Sequence, residues 1–467
     1  VSAGPGEGEL ETAAEMAAAH RAGDVAAAEL VERTISRAEA WQPSINAFSQ
    51  LWADRALDRA RRIDDGGWAQ GEMGLAGVPL AVKDLFDVAG QETSGCCAAY
   101  RGTIATRDAP MIERAERQGL VIVGKTNQHE LAAGGTNLVS ACGRPGNPWD
   151  PARMTGGSSG GSAAVVATGI VPWSFGSDTG GSIRIPSSMC GTFGLKPTTG
   201  KLSIQGMLPL GPSLDCPGPM ASTAGDLRLA FGVMTGAAST DGGEAPTGRD
   251  VTYRIGLPDG LFADVHPETA AVVEHTAMAL ERQGIRVESI DGRGLEDARQ
   301  VWMDVCCPEF TEAHPLLKDP QRRALVNPAV QAWLEHGERL GEDARARARA
   351  RREEIGRWFR ERLAELDALL IPTTPYPAPP PDDDEVELLG SGRVTLNRVG
   401  PGWITCSVNL AGLPALNLPA GRSSHGLPIG VSLVGHDDQE ALLLSLASIW
   451  QLAVGYQPER PKLSAPR

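Results

Sequence analysis

The sequence predicts an α/β fold: a large mixed β-sheet core surrounded by helices, with a helical insertion in its second half. Short apolar runs alternate with stretches of helical periodicity, the pattern of strands and helices sharing one core. The 467-residue chain is 42% apolar, enough material for a large buried interior. Its 56 glycines and 34 prolines follow no period, which excludes collagen-like and repeat architectures.

Residues 1–11 are Gly-rich and acidic and read as a disordered lead-in, without the basic and apolar regions of a secretory signal. Residues 12–467 read as a single domain, because no clean linker interrupts them. Within it, a core spans about 74–224 and 366–455, and a helical insertion spans about 225–365. Residues 12–62 carry Leu30, Val31, Ile35 and Ala38 at helical spacing, with a break at Gly23-Asp24 where Asp24 can cap the second helix. Residues 77–84 hold a short buried strand that ends in a charge at Lys83. A helix over 110–119 leads into a strand from Leu120 to Val123. A small-residue helix over 161–169 leads into a strand from Val171 to Phe175. Helical patterns dominate 225–370, including the Arg/Ala/Glu stretch 341–365. A strand then returns at Leu369 to Pro372, and the Pro-rich, acidic residues 373–385 read as a loop. Strands at Ala415 to Leu418 and Ile429 to Val434 precede a last helix over 438–453.

The net charge of −15, from 58 acidic and 43 basic residues, argues against nucleic acid as a partner, since that affinity is built from clustered cations. The basic run Arg345 to Arg352 alternates with alanine and reads as a solvated helix face. No stretch is long and apolar enough for a transmembrane helix, so no membrane partner is expected. None of the eight cysteines forms a C-x-x-C pair, so no metal ribbon or redox motif is expected; reduced, mostly buried thiols point to a cytoplasmic protein.

Two motifs match patterns whose mechanics they do not fit. Gly119 to Thr126 spells G-x-x-x-x-G-K-T, yet its four middle residues are Leu, Val, Ile and Val. Those want to be a buried strand rather than a phosphate-cradling loop, which leaves Lys125 a structural strand-end residue. Gly156 to Gly160 spells G-x-S-x-G around Ser158. A nucleophile elbow needs a strand before the serine and a later histidine. Residues 147–154 read as a loop, and His425 lies in a turn-like Ser-Ser-His-Gly stretch. Ser158 as nucleophile is therefore the runner-up mechanism.

A larger constellation runs through Gly156-Gly157-Ser158-Ser159-Gly160-Gly161-Ser162, then Gly176 to Pro186 (G-S-D-T-G-G-S-I-R-I-P), then Gly194-Leu195-Lys196-Pro197-Thr198. With the strand that delivers Lys83 and the Asn409 to Pro414 segment (N-L-A-G-L-P), this resembles the amidase signature family over residues 25–455. The resemblance implies that family's fold and hydrolysis of a carboxylic amide without a cofactor or metal. It also implies a catalytic set of Ser182 as nucleophile, Ser158 as relay after a cis Gly157–Ser158 peptide, and Lys83 as base.

Amide cleavage needs a nucleophile, a base and donors for the oxyanion. The turn Thr179-Gly180-Gly181 is poor in side chains and can turn backbone N–H groups into one cavity as the oxyanion hole. A buried strand-end lysine loses the proton that would make it useless as a base. Without the serine motifs, Lys83 would read as a partner for Asp84 or Asp87. Ser158 also suits a helix N-cap. The resemblance places Ala133, Gly134 and Gly135 on the acyl side of the substrate pocket. Asp178 and Arg184 flank the nucleophile and are candidate substrate contacts, with a turn-holding role favoured for Arg184.

The nearest alternative is a glutaminase-type amidotransferase subunit. The resemblance implies that such subunits carry an acidic residue seven positions before the Asn of N-L-A-G-L-P, where this chain has Gly402 followed by Trp403. A small-molecule amide and a stand-alone amidase are therefore expected, with Trp403 near an apolar group. Residues around 302–310 and Trp333 are expected to set substrate size. Acyl transfer in place of hydrolysis and a homodimer both remain open.

Overall fold

The computed structural model describes residues 12–66, 74–237 and 253–463. The predicted lead-in 1–11 lies outside the described residues. Eleven strands form one mixed sheet: β1 (Phe48–Leu51), β2 (Pro79–Lys83), β3 (Val121–Thr126), β4 (Trp173–Asp178), β5 (Phe193–Lys196), β6 (Cys216–Ala221), β7 (Arg254–Pro258), β8 (Arg286–Ile290), β9 (Ala368–Pro372), β12 (Ala415–Arg422) and β13 (Pro428–Val434). Two more, β10 (Glu385–Leu388) and β11 (Gly392–Thr395), pair as a separate antiparallel hairpin. The order across the large sheet is β1-β3-β2-β4-β6-β5-β12-β13-β9-β7-β8.

The local residues explain the central strands. Every residue of β2 and β3 is buried, as expected for strands covered on both faces. Val121 and Val123 pack with Val31, Ile35 and Val165 on one face, whereas Ile122, Leu80 and Val82 belong to the core on the other. The helices Ala27–Ile45, Ala53–Asp64 and Gly160–Ala167 supply the first face. The last is built of glycine, alanine, serine and valine and buries all eight of its residues.

The parallel pairing of β2 with β4 decides where the chemistry sits. Ala81 aligns with Ser174 and Val82 with Phe175, so both strands end at the same edge of the sheet. Lys83 closes β2, and Asp178 closes β4 immediately before the 179–182 turn. Parallel sheets place ligands beyond the carboxyl ends of their strands.

Several elements differ from the sequence expectation. Residues 12–62 also contain the short strand β1, which pairs antiparallel with β3. The helix Ala27–Ile45 is capped not by Asp24 but by the Asp64 carboxylate, which accepts from Ala27 N at 2.8 Å and Ala28 N at 2.9 Å. A carboxylate from another helix neutralises that N-terminus through space, invisible to a local motif. β3 and β4 run later than expected, to Thr126 and Asp178, because their last polar residues stay buried in the ladder. The helical stretch after 225 also holds β7 and β8, which extend the sheet at one edge. β8 is half exposed and mixed in polarity, so it lacks a strong strand pattern. The expected loop 373–385 gives way at its end to the β10–β11 hairpin. β6 contains Pro217 and Pro219, which ordinarily argue against a central strand. Its neighbour β5 pairs only with Ala221 and Met220, while Pro219 and Pro217 stand opposite Phe175 and Ser177 of β4.

Candidate active site

Lys83 is fully buried at the end of β2. Its Nζ donates to Ser158 Oγ at 2.7 Å and to Ser177 Oγ at 2.9 Å. Neither Asp84 nor Asp87 pairs with it. Asp84 instead lies 3.5 Å from Lys125, the strand-end lysine of the false phosphate loop, whose Nζ also donates to Glu92 O and Thr93 Oγ1. Burial pushes the Lys83 pKa down to about 7, against the weaker pull of the Asp215 and Asp178 charges. A buried imidazole lies close by. His129 is held neutral by burial and by the Lys83 charge, which lower its pKa to about 3, and its Nδ1 accepts from Asn137 N at 3.1 Å.

Ser158 is also fully buried, and the Gly157–Ser158 peptide is cis. Its carbonyl accepts from His129 N at 3.0 Å. It does not cap the following helix, whose first N–H, on Gly160, goes to Asn137 Oδ1 at 3.0 Å. No strand leads directly into Ser158, and His425 sits in the exposed turn between β12 and β13, so the elbow has neither of its parts. The 121–124 stretch lies in the ladder of β3, which removes the phosphate loop as well.

Ser182 lies beside this pair and opens to a cavity. Ser159 N donates to Ser182 O at 3.2 Å, which ties the two serine turns together. Ser182 is 6% exposed and lines the cavity, whereas Ser158 is sealed behind it. The Ser182 hydroxyl makes no hydrogen bond to another described residue.

The 179–182 turn is held from outside. Trp302 Nε1 donates to Thr179 O at 2.8 Å, and Thr405 Oγ1 donates to Gly180 O at 2.7 Å. In a trans peptide the N–H points opposite to the carbonyl, so anchoring Thr179 O aims the Gly180 N–H away from Trp302. Thr179 Oγ1 donates to the buried Asp215 carboxylate at 2.5 Å, and Asp215 also accepts from Leu210 N and Gly211 N. Glycine is required twice. A Cβ on Gly180 would sit 2.8 Å from the Trp302 ring, and Gly181 has φ +121° with Thr405 where its Cβ would stand. Gly181 departs from expectation as a donor: its N–H goes to Asp178 Oδ1 at 2.8 Å. The N–H groups of Thr179, Gly180 and Ser182 are the ones without a protein acceptor among the described residues.

Asp178 and Arg184, candidate substrate contacts in the sequence, are instead fully buried against each other. Arg184 Nε and Nη2 each lie 3.0 Å from an Asp178 carboxylate oxygen, and Nη2 also reaches Asn409 Oδ1 at 2.6 Å. Asp178 accepts further from Ile183 N and from Asn409 Nδ2. Burial alone would raise its carboxyl, but the Arg184 guanidinium and its hydrogen bonds hold it well below the usual range. The pair fixes the turn rather than facing the cavity.

The cavity opens to solvent and offers about 90 Å³ of room. Gly134 and Gly135 form part of its wall, together with Ala132 rather than Ala133. Gly402 also lines it, while Trp403 faces the adjoining outer cleft with Arg398 and His336. The aromatic wall comes from Trp302 and Trp333, whose rings meet edge to face at 5.6 Å. Both stand in the region expected to set substrate size. Ser177, Thr405, Asn409 and Asp215 were not singled out, although Ser177 and Asn409 fall inside the quoted motifs. Among the described residues no cluster of three or more His, Cys, Asp or Glu side chains is placed to hold a metal ion, and no helix is long and apolar enough to cross a membrane. All eight cysteines are unpaired and seven are buried.

Comparison with known proteins gives consistent results. A family model described as Amidase matches residues 29–444. A glutamyl-tRNA(Gln) amidotransferase subunit of Chloroflexus aurantiacus is 34% identical over 97% of this chain and 98% of its own length. A solved amidase superposes with a TM-score of 0.86 at 31% identity, covering 95% of this chain and all of that one. A structure described as a vestigial protein complex revealing the origins of an s-triazine catabolic enzyme gives 0.85 at 31% identity, covering 97% of this chain and all of that one.

Proposed function

The chain belongs to the amidase family, whose reaction is cleavage of a carboxylic amide C–N bond, and from that premise we propose that Ser182 attacks the amide while Ser158 and Lys83 carry the proton. The observation behind this is the buried Lys83 Nζ at 2.7 Å from Ser158 Oγ, with a pKa brought down to about 7. A neutral amine there can accept a proton; an ammonium cannot. Ser182 Oγ adds to the carbonyl carbon, its proton passes to Ser158 Oγ, and the Ser158 proton passes to Lys83 Nζ. The oxyanion meets the N–H groups of Thr179, Gly180 and Ser182. When the C–N bond breaks, the proton returns through Ser158 to the leaving nitrogen, giving ammonia or an amine and an acyl-enzyme on Ser182. Water then repeats the sequence and releases the acid. Hydrogen bonds that a substrate completes are often open in its absence, which suits the unpartnered Ser182 hydroxyl.

We read the chain as a stand-alone hydrolase of small amides. A second reading has a specific observation behind it, the likeness to glutamyl-tRNA(Gln) amidotransferase subunits. Such a subunit works with partner chains, so a partner belongs to that reading. Against it, Gly402 stands in the cavity wall where the family resemblance calls for an acidic residue in a glutamine site, and no carboxylate among the described residues lines the cavity. The test is a panel of primary amides, anilides and glutamine, with ammonia and amine measured separately. Hydrolysis of simple amides and none of glutamine supports the first reading. Glutamine as the one substrate cleaved supports the second.

A further inference from the structure

The cavity around Ser182 is apolar on most sides, with Trp302, Met303, Trp333, Ile185 and Leu210 in its walls. Among the described residues only one formal charge lines it, Arg299. Its Nη1 donates to Asn397 O at 2.7 Å and to Arg398 O at 3.0 Å. These two bonds fix the plane of the guanidinium. No acceptor among the described residues takes Nε or Nη2, and no carboxylate among them pairs with the side chain.

Other arginines of the same helical region do have carboxylate partners. Arg351 pairs with Asp297, Arg345 with Glu312 and Arg323 with Glu338. In a chain with 58 acidic and 43 basic residues, a lone cation is not explained by a shortage of carboxylates. The guanidinium itself, not only its stem, reaches the cavity wall. A Cβ built on Gly400 would lie 3.6 Å from Arg299 Nη2, and Gly400 lines the cavity beside Pro401 and Gly402. Glycine at 400 leaves that approach uncovered.

The unused edge of Arg299, Nε with Nη2, is the one with which Arg184 grips the two oxygens of Asp178 elsewhere in this protein. That edge matches a carboxylate in a bidentate fork. We propose that Arg299 is a substrate-binding residue, and that the preferred amide carries a carboxylate separated from the scissile bond by an apolar spacer packed between the tryptophans. This rests on the reading of Ser182 as the reacting centre and deepens it. It also accounts for a binding cavity without an anionic residue: a free amino group on the substrate would meet no partner.

The test compares linear primary amides ending in a carboxylate, the monoamides of dicarboxylic acids from four to eight carbons long, with alkyl primary amides of matched length. We expect kcat/KM to favour the carboxylate series by at least about tenfold at its best length, carried by KM. Arg299→Gln should collapse that ratio toward one, and Arg299→Lys, which keeps the charge but loses the fork, should leave an intermediate ratio. Arg299 also ties down residues 397 and 398, so a second readout uses the unaltered enzyme: the ratio should fall as KCl is raised. Hydrolysis of both series with a ratio near one, or a ratio indifferent to both salt and Arg299→Gln, overturns the proposal and leaves the Ser182 reading intact. No hydrolysis of either series, together with no reaction of Ser182 with a fluorophosphonate, overturns both.

Discussion

Lys83 Nζ sits 2.7 Å from Ser158 Oγ with both side chains sealed from solvent. The lysine has no carboxylate partner to hold its proton, so burial dominates and its pKa falls from 10.5 to about 7. The activity should therefore rise with pH, half-maximal near pH 7, as Lys83 loses its proton. Lys83→Met should lower kcat by roughly 10²–10⁴-fold and remove that limb of the profile. A pH–rate profile of both proteins checks this.

The same shift has a stability signature. The folded value lies below the unfolded one, so between about pH 7 and 10.5 the unfolded chain holds the extra proton and Lys83 becomes less costly to bury as pH rises. The stability of Lys83→Met relative to the parent should be greatest below pH 7 and should narrow through that window. Urea titrations at several pH values measure the trend.

Trp302 and Thr405 hold successive carbonyls of the 179–181 turn from two different elements. Trp302→Phe removes the N–H and keeps much of the ring; Thr405→Val removes the hydroxyl and keeps the shape. Each should lower kcat by about tenfold, since each loosens donors aimed at the oxyanion. The check is steady-state kinetics on a simple amide, with thermal melting to show that the fold is retained.

Asp178→Asn leaves the Arg184 guanidinium buried without its counter-charge. Breaking a buried pair by removing one partner costs about 3–5 kcal/mol. Denaturant unfolding should show a loss of that order, accompanied by a fall in kcat because Asp178 also orients Gly181 and Ile183.

Asp64→Ala should destabilise by about 1 kcal/mol through loss of the cap on the helix Ala27–Ile45, without changing kcat. Chemical denaturation and an amide assay on the same preparation separate the two effects.

The α/β class and the strand carrying Lys83 were legible because buried parallel strands leave continuous apolar runs such as Val78 to Val82. The serine turns were legible because closely packed backbone demands glycine: Gly157, Gly160 and Gly161 each lack room for a Cβ. What escaped local reading depends on contacts across the chain. Arg184, for which the sequence favours a turn-holding role, is braced by Asn409 from 225 residues away, a partner that no local pattern names. Trp403 turned out to face the outer cleft while Trp302 took the wall, because helical periodicity does not say which aromatic meets a distant turn. The Gly181 N–H was lost to Asp178 by a turn geometry that a glycine-rich string leaves open.

The central claim, that Ser182 attacks and Ser158 relays, is tested most directly by mapping a fluorophosphonate adduct. Peptide mass spectrometry of the labelled protein should place a single adduct on Ser182 and find none in Ser182→Ala. An adduct on Ser158, or labelling that persists in Ser182→Ala, would contradict the account.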